Sequence, residues 1–124
     1  ILGEAVSGGF LSYGLMANEI YALDESQVKV MDLNAMSRVT KIPVDKLQAL
    51  SKSSSIFAPG VENFYKMGAI NSIWKDLNTD LVAHAILNQR QQIESFKSDQ
   101  RRNIAEQRQG RMLCNDVISR ILHS

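Results

Sequence analysis

The chain has 124 residues, 44% of them hydrophobic and 22% charged, a composition that folds and excludes wholesale disorder. Fourteen Lys and Arg against thirteen Asp and Glu leave a formal charge of +1, which excludes a strongly basic nucleic-acid binder and an acidic tail alike. The single cysteine, Cys114, excludes an intrachain disulfide framework. No basic stretch precedes an apolar core, so no signal peptide is expected, and a chain opening on Ile1 reads as an excerpt. No apolar run approaches the roughly 18 residues that a transmembrane helix needs.

Val6, Phe10, Tyr13, Ala17 and Ile20 fall on one stripe of helical period and predict a first amphipathic helix. Gly3, Gly8, Gly9 and Gly14 lie in the same segment, each costing about 1 kcal/mol against Ala in a helix interior. Such small residues suit a helix on which another backbone packs closely. Asp24 or Ser26 is placed to cap a second helix with Val28, Met31, Ala35 and Val39 on its apolar face. Pro43 ends that pattern, because the residue before a proline is pushed out of the helical region. Proline tolerates a first helical turn, so Val44, Leu47 and Leu50 predict a third, short helix. The serine-rich run 51–55, followed by Pro59 and Gly60, is a break. A fourth helix is expected from near Val61, carrying Phe64, Gly68, Ile70, Ile73, Trp74, Leu77 and Leu81.

Beyond Leu87 the chain turns polar. Between Asn88 and Gly110 its apolar residues are Ile93, Phe96, Ile104 and Ala105, set among glutamines and charges that form helix well. Written as heptads, Val82, Ile86, Gln89, Ile93, Phe96, Gln100, Asn103 and Gln107 occupy the a and d positions. Such a seam predicts a homomeric coiled coil, a homotrimer, whose polar layers fix register at a cost in stability. An exposed, unpartnered helix is the alternative. After Gly110, Leu113, Val117 and Ile121 form a short amphipathic end, widened by Ile118 and Leu122. The expected fold is all-α: several helices with a helix-turn-helix-like element and a long polar, coiled-coil helix. Its expected divisions are 1–60, 61–110 for the long helix and 111–124 for the terminal helix.

Little in the sequence carries chemistry. His84 flanks an apolar helix and His123 lies at the end of the chain, without a partner at catalytic or metal-ligand spacing. Cys114 lies beside Asn115 and Asp116, with no base to activate it. The glycines at 3, 8 and 9 match no phosphate loop. Asp76, Asp80 and Glu94 are too scattered to pair as acid and base. The expectation is therefore no enzyme, no cofactor and no metal.

One constellation stands out, LNAMSRVTKIPVDKLQAL from Leu33 to Leu50. Helix, short turn and helix, with Ala35, Ile42, Val44, Leu47 and Leu50 as a small local core or interaction face, make a helix-turn-helix pattern. As a DNA reader its second helix presents Asp45, Lys46, Gln48 and Lys52 to a groove. That set lacks Arg and begins on an acid, so specific nucleic-acid binding is disfavoured. The stretch MSRVTKIPVDKLQALSKSSSIFAPGVENFYKMGAINSIWKDL resembles a recurring segment of phage tail tape measure proteins. Thr40, Ile42, Val44, Leu47, Gln48 and Leu50 carry the first part of the resemblance; Val61, Phe64 and Leu77 carry the second. The glycine-bearing stretch before it, GEAVSGGFLSYGLMANEIYAL, is similar to the small-residue helices of that family. Lys41 departs from the glycine most common there, and Ser53 to Ser55 from the usual alanine pair. The resemblance implies a structural virion protein that sets tail length and is released with the DNA. Its implied partners are tail tube and tail tip or baseplate hub proteins, and its implied place is the virion tail. The alternatives are a helical assembly or adaptor module and a helix-turn-helix regulator, either of them cytoplasmic.

Overall fold

The computed structural model describes residues 1–53, 58–91 and 98–123. Its architecture is mixed α/β, which overturns the all-α expectation. Four short strands and seven helices occur among the described residues. Strand β1 (Glu4–Val6) runs into α1 (Ser7–Ser12) and a 3-10 turn (Gly14–Met16). Next come β2 (Tyr21–Leu23) and β3 (Gln27–Lys29), then α2 (Leu33–Thr40), α3 (Val44–Ser53) and α4 (Val61–Lys66). The chain continues with β4 (Ser72–Trp74), α5 (Thr79–Gln91), α6 (Arg101–Gln107) and α7 (Cys114–Leu122).

The strands form two parallel pairs. In one, Glu4, Ala5 and Val6 of β1 stand beside Gln27, Val28 and Lys29 of β3. In the other, Tyr21, Ala22 and Leu23 of β2 stand beside Ser72, Ile73 and Trp74 of β4. The second pair is closed at its start by Asn71, whose N–H donates to Ile20 O at 2.7 Å and whose Oδ1 accepts from Ile20 N at 2.8 Å.

The helical stripe through Val6, Phe10, Tyr13, Ala17 and Ile20 is cut twice. Val6 is extended, and so is Ala17 (φ −67°, ψ 143°), so the helix between them is short. Of the five, Phe10 and Ile20 are buried. Neither Asp24 nor Ser26 caps a helix. The Ser26 hydroxyl and N–H both donate to the Leu23 carbonyl, forming the tight turn between β2 and β3. The helical cap is Asp32 instead, whose Oδ1 accepts from Ala35 N at 2.7 Å. The expected fourth helix divides as well: Gly68 (φ +78°) stops α4, and residues 72–74 pair as a strand.

The core lies where α1, α4 and the strands meet, and consists of Phe10, Ile20, Ala22, Val28, Val61, Phe64, Ala69 and Ile70. The rings of Phe10 and Phe64 meet edge to face, centroids 5.6 Å apart. Beside it, α2 and α3 pack together around Leu47, which is fully buried; Ala35, Ile42, Val44 and Leu50 are half-buried, and Val39 is 71% exposed. Lys41 turns the chain between these helices in the left-handed region (φ +61°).

The long polar helix is not continuous. Helix α5 ends at Gln91, and residues 98–100 ahead of α6 are not helical. Val82 and Ile86 are exposed and Gln89 half-buried on α5; Gln100 precedes α6, which exposes Asn103 and Gln107. Ile93 and Phe96 lie outside the described residues. Helix α6 turns Ala105, fully buried, toward the body of the molecule. It is held there by Arg108, whose guanidinium donates to the carbonyls of Tyr65 and Ile70 at 2.7 Å and of Asn71 at 3.0 Å. The same group lies 3.6 Å from the centroid of the Tyr65 ring.

Candidate functional site at the carboxyl edge of the first parallel pair

Parallel strands place all their carboxyl ends on one side, and in α/β folds ligands bind there. For β1 and β3 that edge is built from two strand-to-helix links. After β1, Val6 is extended and Ser7 stands at φ +60°, a sparsely populated region for a residue with a side chain. Gly8 and Gly9 follow, and a Cβ at either would meet no atom within 4 Å. No side chain caps this turn. Its backbone is therefore open to close approach by another molecule, as side-chain-free positions next to functional sites are. The first N–H groups of a helix find no acceptor within it, so this turn offers donors. After β3, Val30, Met31 and Asp32 lead into α2 at the same edge.

Two clefts border the neighbouring segment 17–20. One, of about 400 Å³, is walled by Phe10, Ile20, Leu23 and Val82 and floored by the stacked rings of Tyr21 and Trp74, centroids 4.7 Å apart. The Tyr21 hydroxyl donates to Glu19 Oε2. Burial together with the anionic Glu19 pushes the phenol up to about 12. The other cleft, of about 480 Å³, is polar, with Asn18, Glu19, Asn71, Asp99 and Arg101 around it. Arg101 is fixed there, its Nε and one terminal nitrogen on Asp99 at 2.8 and 2.7 Å and the other on Leu15 O at 2.9 Å. That bidentate contact holds the Asp99 carboxyl down to about 2, below the usual carboxylate range.

The expected interaction face of Ala35, Ile42, Val44, Leu47 and Leu50 is gathered between α2 and α3. His84 and His123 are exposed, the latter with Nδ1 2.8 Å from Ser119 O. No group of three metal-ligating side chains occurs among the described residues, and none of the helices among them is long and apolar enough to cross a membrane. Sequence reasoning missed the open turn. Its signal was the run Ser7-Gly8-Gly9 directly after an extended triplet, which the helical stripe overrode.

The fold and sequence have relatives. The family model for the malonate decarboxylase gamma subunit, MdcE, matches residues 1–124. The malonyl-S-ACP:biotin-protein carboxyltransferase MADD of Malonomonas rubra is 31% identical over 131 residues, covering 96% of this chain and 44% of the relative. A Pseudomonas malonate decarboxylase hetero-tetramer in complex with coenzyme A contains a chain similar in fold, with a TM-score of 0.62 and 22% identity over 98% of this chain and 50% of that one. In a Pseudomonas MdcD–MdcE hetero-dimer the corresponding values are 0.54, 23%, 98% and 48%. The chain thus spans about half the length of these relatives. These matches overturn the tape measure resemblance, and with it the virion role and the tail location. They overturn the expectation of no enzyme too, because the family is one of enzyme subunits. Matched along its whole length, the chain belongs to the malonate decarboxylase gamma subunit family.

Proposed function

We propose that this chain works as part of a hetero-oligomeric enzyme that removes or transfers the carboxyl group of a malonyl thioester. The observation that carries this reading is the family match over residues 1–124. In such a reaction the bond between the methylene carbon and the carboxylate breaks. Its electron pair moves into the thioester as an enolate, and the carboxyl group leaves as carbon dioxide or passes to an acceptor. Charge develops on the thioester oxygen, and preorganised N–H donors aimed at that oxygen lower the barrier. The turn at Ser7, Gly8 and Gly9, open at its two glycines, supplies backbone donors at the carboxyl edge of β1 and β3, where a thioester can approach. Two helices support a partner chain: α5 and α7 bury none of their described side chains, and Leu81, Ile86 and Val117 on them and Leu113 just before α7 are exposed. The relatives in the solved hetero-oligomers point to another enzyme subunit as that partner rather than to two further copies of this chain.

The test is carbon dioxide release from malonyl-CoA or a malonyl carrier protein by the full-length protein with its co-expressed subunits. Gly9→Val should lower kcat/KM at least tenfold while leaving the melting temperature within about 2–4 °C of the parent, since the added side chain meets open space. Unchanged turnover in that variant would remove the turn from the reaction. A complex inactive on every malonyl thioester would remove the reading itself.

A further inference from the structure

Most of the half-buried arginines are spent. Arg101 holds Asp99 and the Leu15 carbonyl, and Arg108 holds three carbonyls. Arg111 is half-buried too, yet among the described residues its guanidinium has no hydrogen-bond or ion-pair partner. The acid whose charge it feels, Asp99, has both carboxylate oxygens engaged by Arg101. Among the described residues, Arg111 is therefore the half-buried arginine left without a partner. Arg111 lines a cavity of about 250 Å³ whose other walls include Leu11, Leu15, Met31, Met36, Phe64 and Met67. No described side-chain nitrogen or oxygen is sealed from solvent without a bond, so the guanidinium remains reachable.

From this juxtaposition of a free guanidinium and an apolar, methionine-rich pocket, we infer a binding site for a carboxylate carried on a short apolar body. A planar guanidinium matches a carboxylate through two parallel hydrogen bonds. A phosphate would leave further negative charge facing apolar walls, because no second cation lines the cavity among the described residues. The methionines adapt their shape to a small guest. The volume corresponds to roughly eight water molecules, enough for a short acyl group and not for a nucleotide.

The placement of Arg111 is built in. Gln109 stands at φ +56°, and a Cβ on Gly110 would overlap the Lys66 carbonyl, so the link carrying Arg111 sits directly on the end of α4. Helix α1 connects the two sites. It starts at the open Ser7–Gly9 turn, and Leu11, roughly 6 Å further along its axis, lines the cavity. On the function proposed above, and resting on it for the anion's identity alone, the guest is the free carboxylate end of a malonyl group.

Calorimetric titration of the full-length protein with monoethyl malonate, which has one free carboxylate and an apolar body, tests the site. Saturable binding is expected. It should weaken at least tenfold in Arg111→Met, a substitution suited to a methionine-lined cavity, and also in Met36→Trp, which fills the cavity and leaves Arg111 in place. Equal binding by either folded variant overturns the inference, as does inorganic phosphate binding more tightly than monoethyl malonate. Decarboxylation by the assembled enzyme is measured alongside. An active complex whose KM is unmoved by Arg111→Met sinks this site and leaves the function standing. Arg111-dependent binding in a complex inactive on malonyl thioesters does the reverse.

Discussion

Gly68 and Gly110 decide how α6 lies on the molecule. At Gly68 the backbone is left-handed (φ +78°), and a Cβ would overlap the Arg101 carbonyl oxygen; at Gly110 it would overlap the Lys66 carbonyl. Both neighbours are backbone atoms with little freedom to retreat. Gly110→Ala should therefore destabilise by about 1–3 kcal/mol through overpacking, and Gly68→Ala by more, since left-handed strain adds to it. Urea unfolding checks both, and an unchanged midpoint would show that the contact yields. Tyr21 gives a pH dependence. Its hydroxyl is pushed up from 10.0 to about 12 by burial and by Glu19, so between those values the folded chain holds a proton that the unfolded chain has released. Stability should fall as pH rises through that window. Tyrosinate absorbance should show one phenol titrating late, and Glu19→Gln should bring it back toward 10. A late phenol persisting in Glu19→Gln would assign the shift to burial alone.

Among the elements, α3 and the second half of the expected second helix were legible because their information is local; the first half was not, since Val28 pairs in β3 and α2 begins only at Leu33. The pattern Ala35, Ile42, Val44, Leu47 and Leu50 has helical period, and Pro43 divides it into two helices without reference to the rest of the chain. Leu47 is fully buried between them, so Leu47→Ala should cost about 2–5 kcal/mol, read from the shift of the thermal or urea transition. A cost below about 0.5 kcal/mol would mean that the two helices move apart in solution. Helices α1 and α4 were predicted too long for one reason. Phe10 and Ile20, or Phe64 and Ile70, are buried by the same core from different elements, and burial on one face mimics a continuous stripe. Gly14 carries the same lesson: the Phe10 ring lies 2.5 Å from where its Cβ would stand, so a glycine that reads as a helix weakness is a packing requirement.

At the scale of the whole molecule, the outward faces of α5 and α7 remain apolar. Leu113 and Val117 on or beside α7 are 71% and 52% exposed, and no side chain of that helix is buried. A helix this short gains little from propensity alone and needs packing from outside. Val117→Asp should leave the melting temperature of the separate chain unchanged within about 2–4 °C and abolish its co-elution with the partner subunit, measured by size-exclusion chromatography with light scattering. A complex of unchanged mass would place the partner elsewhere. Composition, charge, the lone cysteine, the amphipathic helices α3 and α7 and the second half of the expected second helix could be read without a structure, because each depends on the residue itself or on neighbours within a turn or two. The strands and the candidate site could not. Residues 4–6, 21–23, 27–29 and 72–74 are triplets too short to show alternation, and their hydrogen bonds go to parallel partners far along the chain. The same pairing sets Ser7, Gly8 and Gly9 at an open carboxyl edge, and the fold of α6 over α4 brings Arg111 to the wall of an apolar cavity. Only chain-distant contacts turn those residues from weak helix formers and a solvated charge into groups that can meet a ligand.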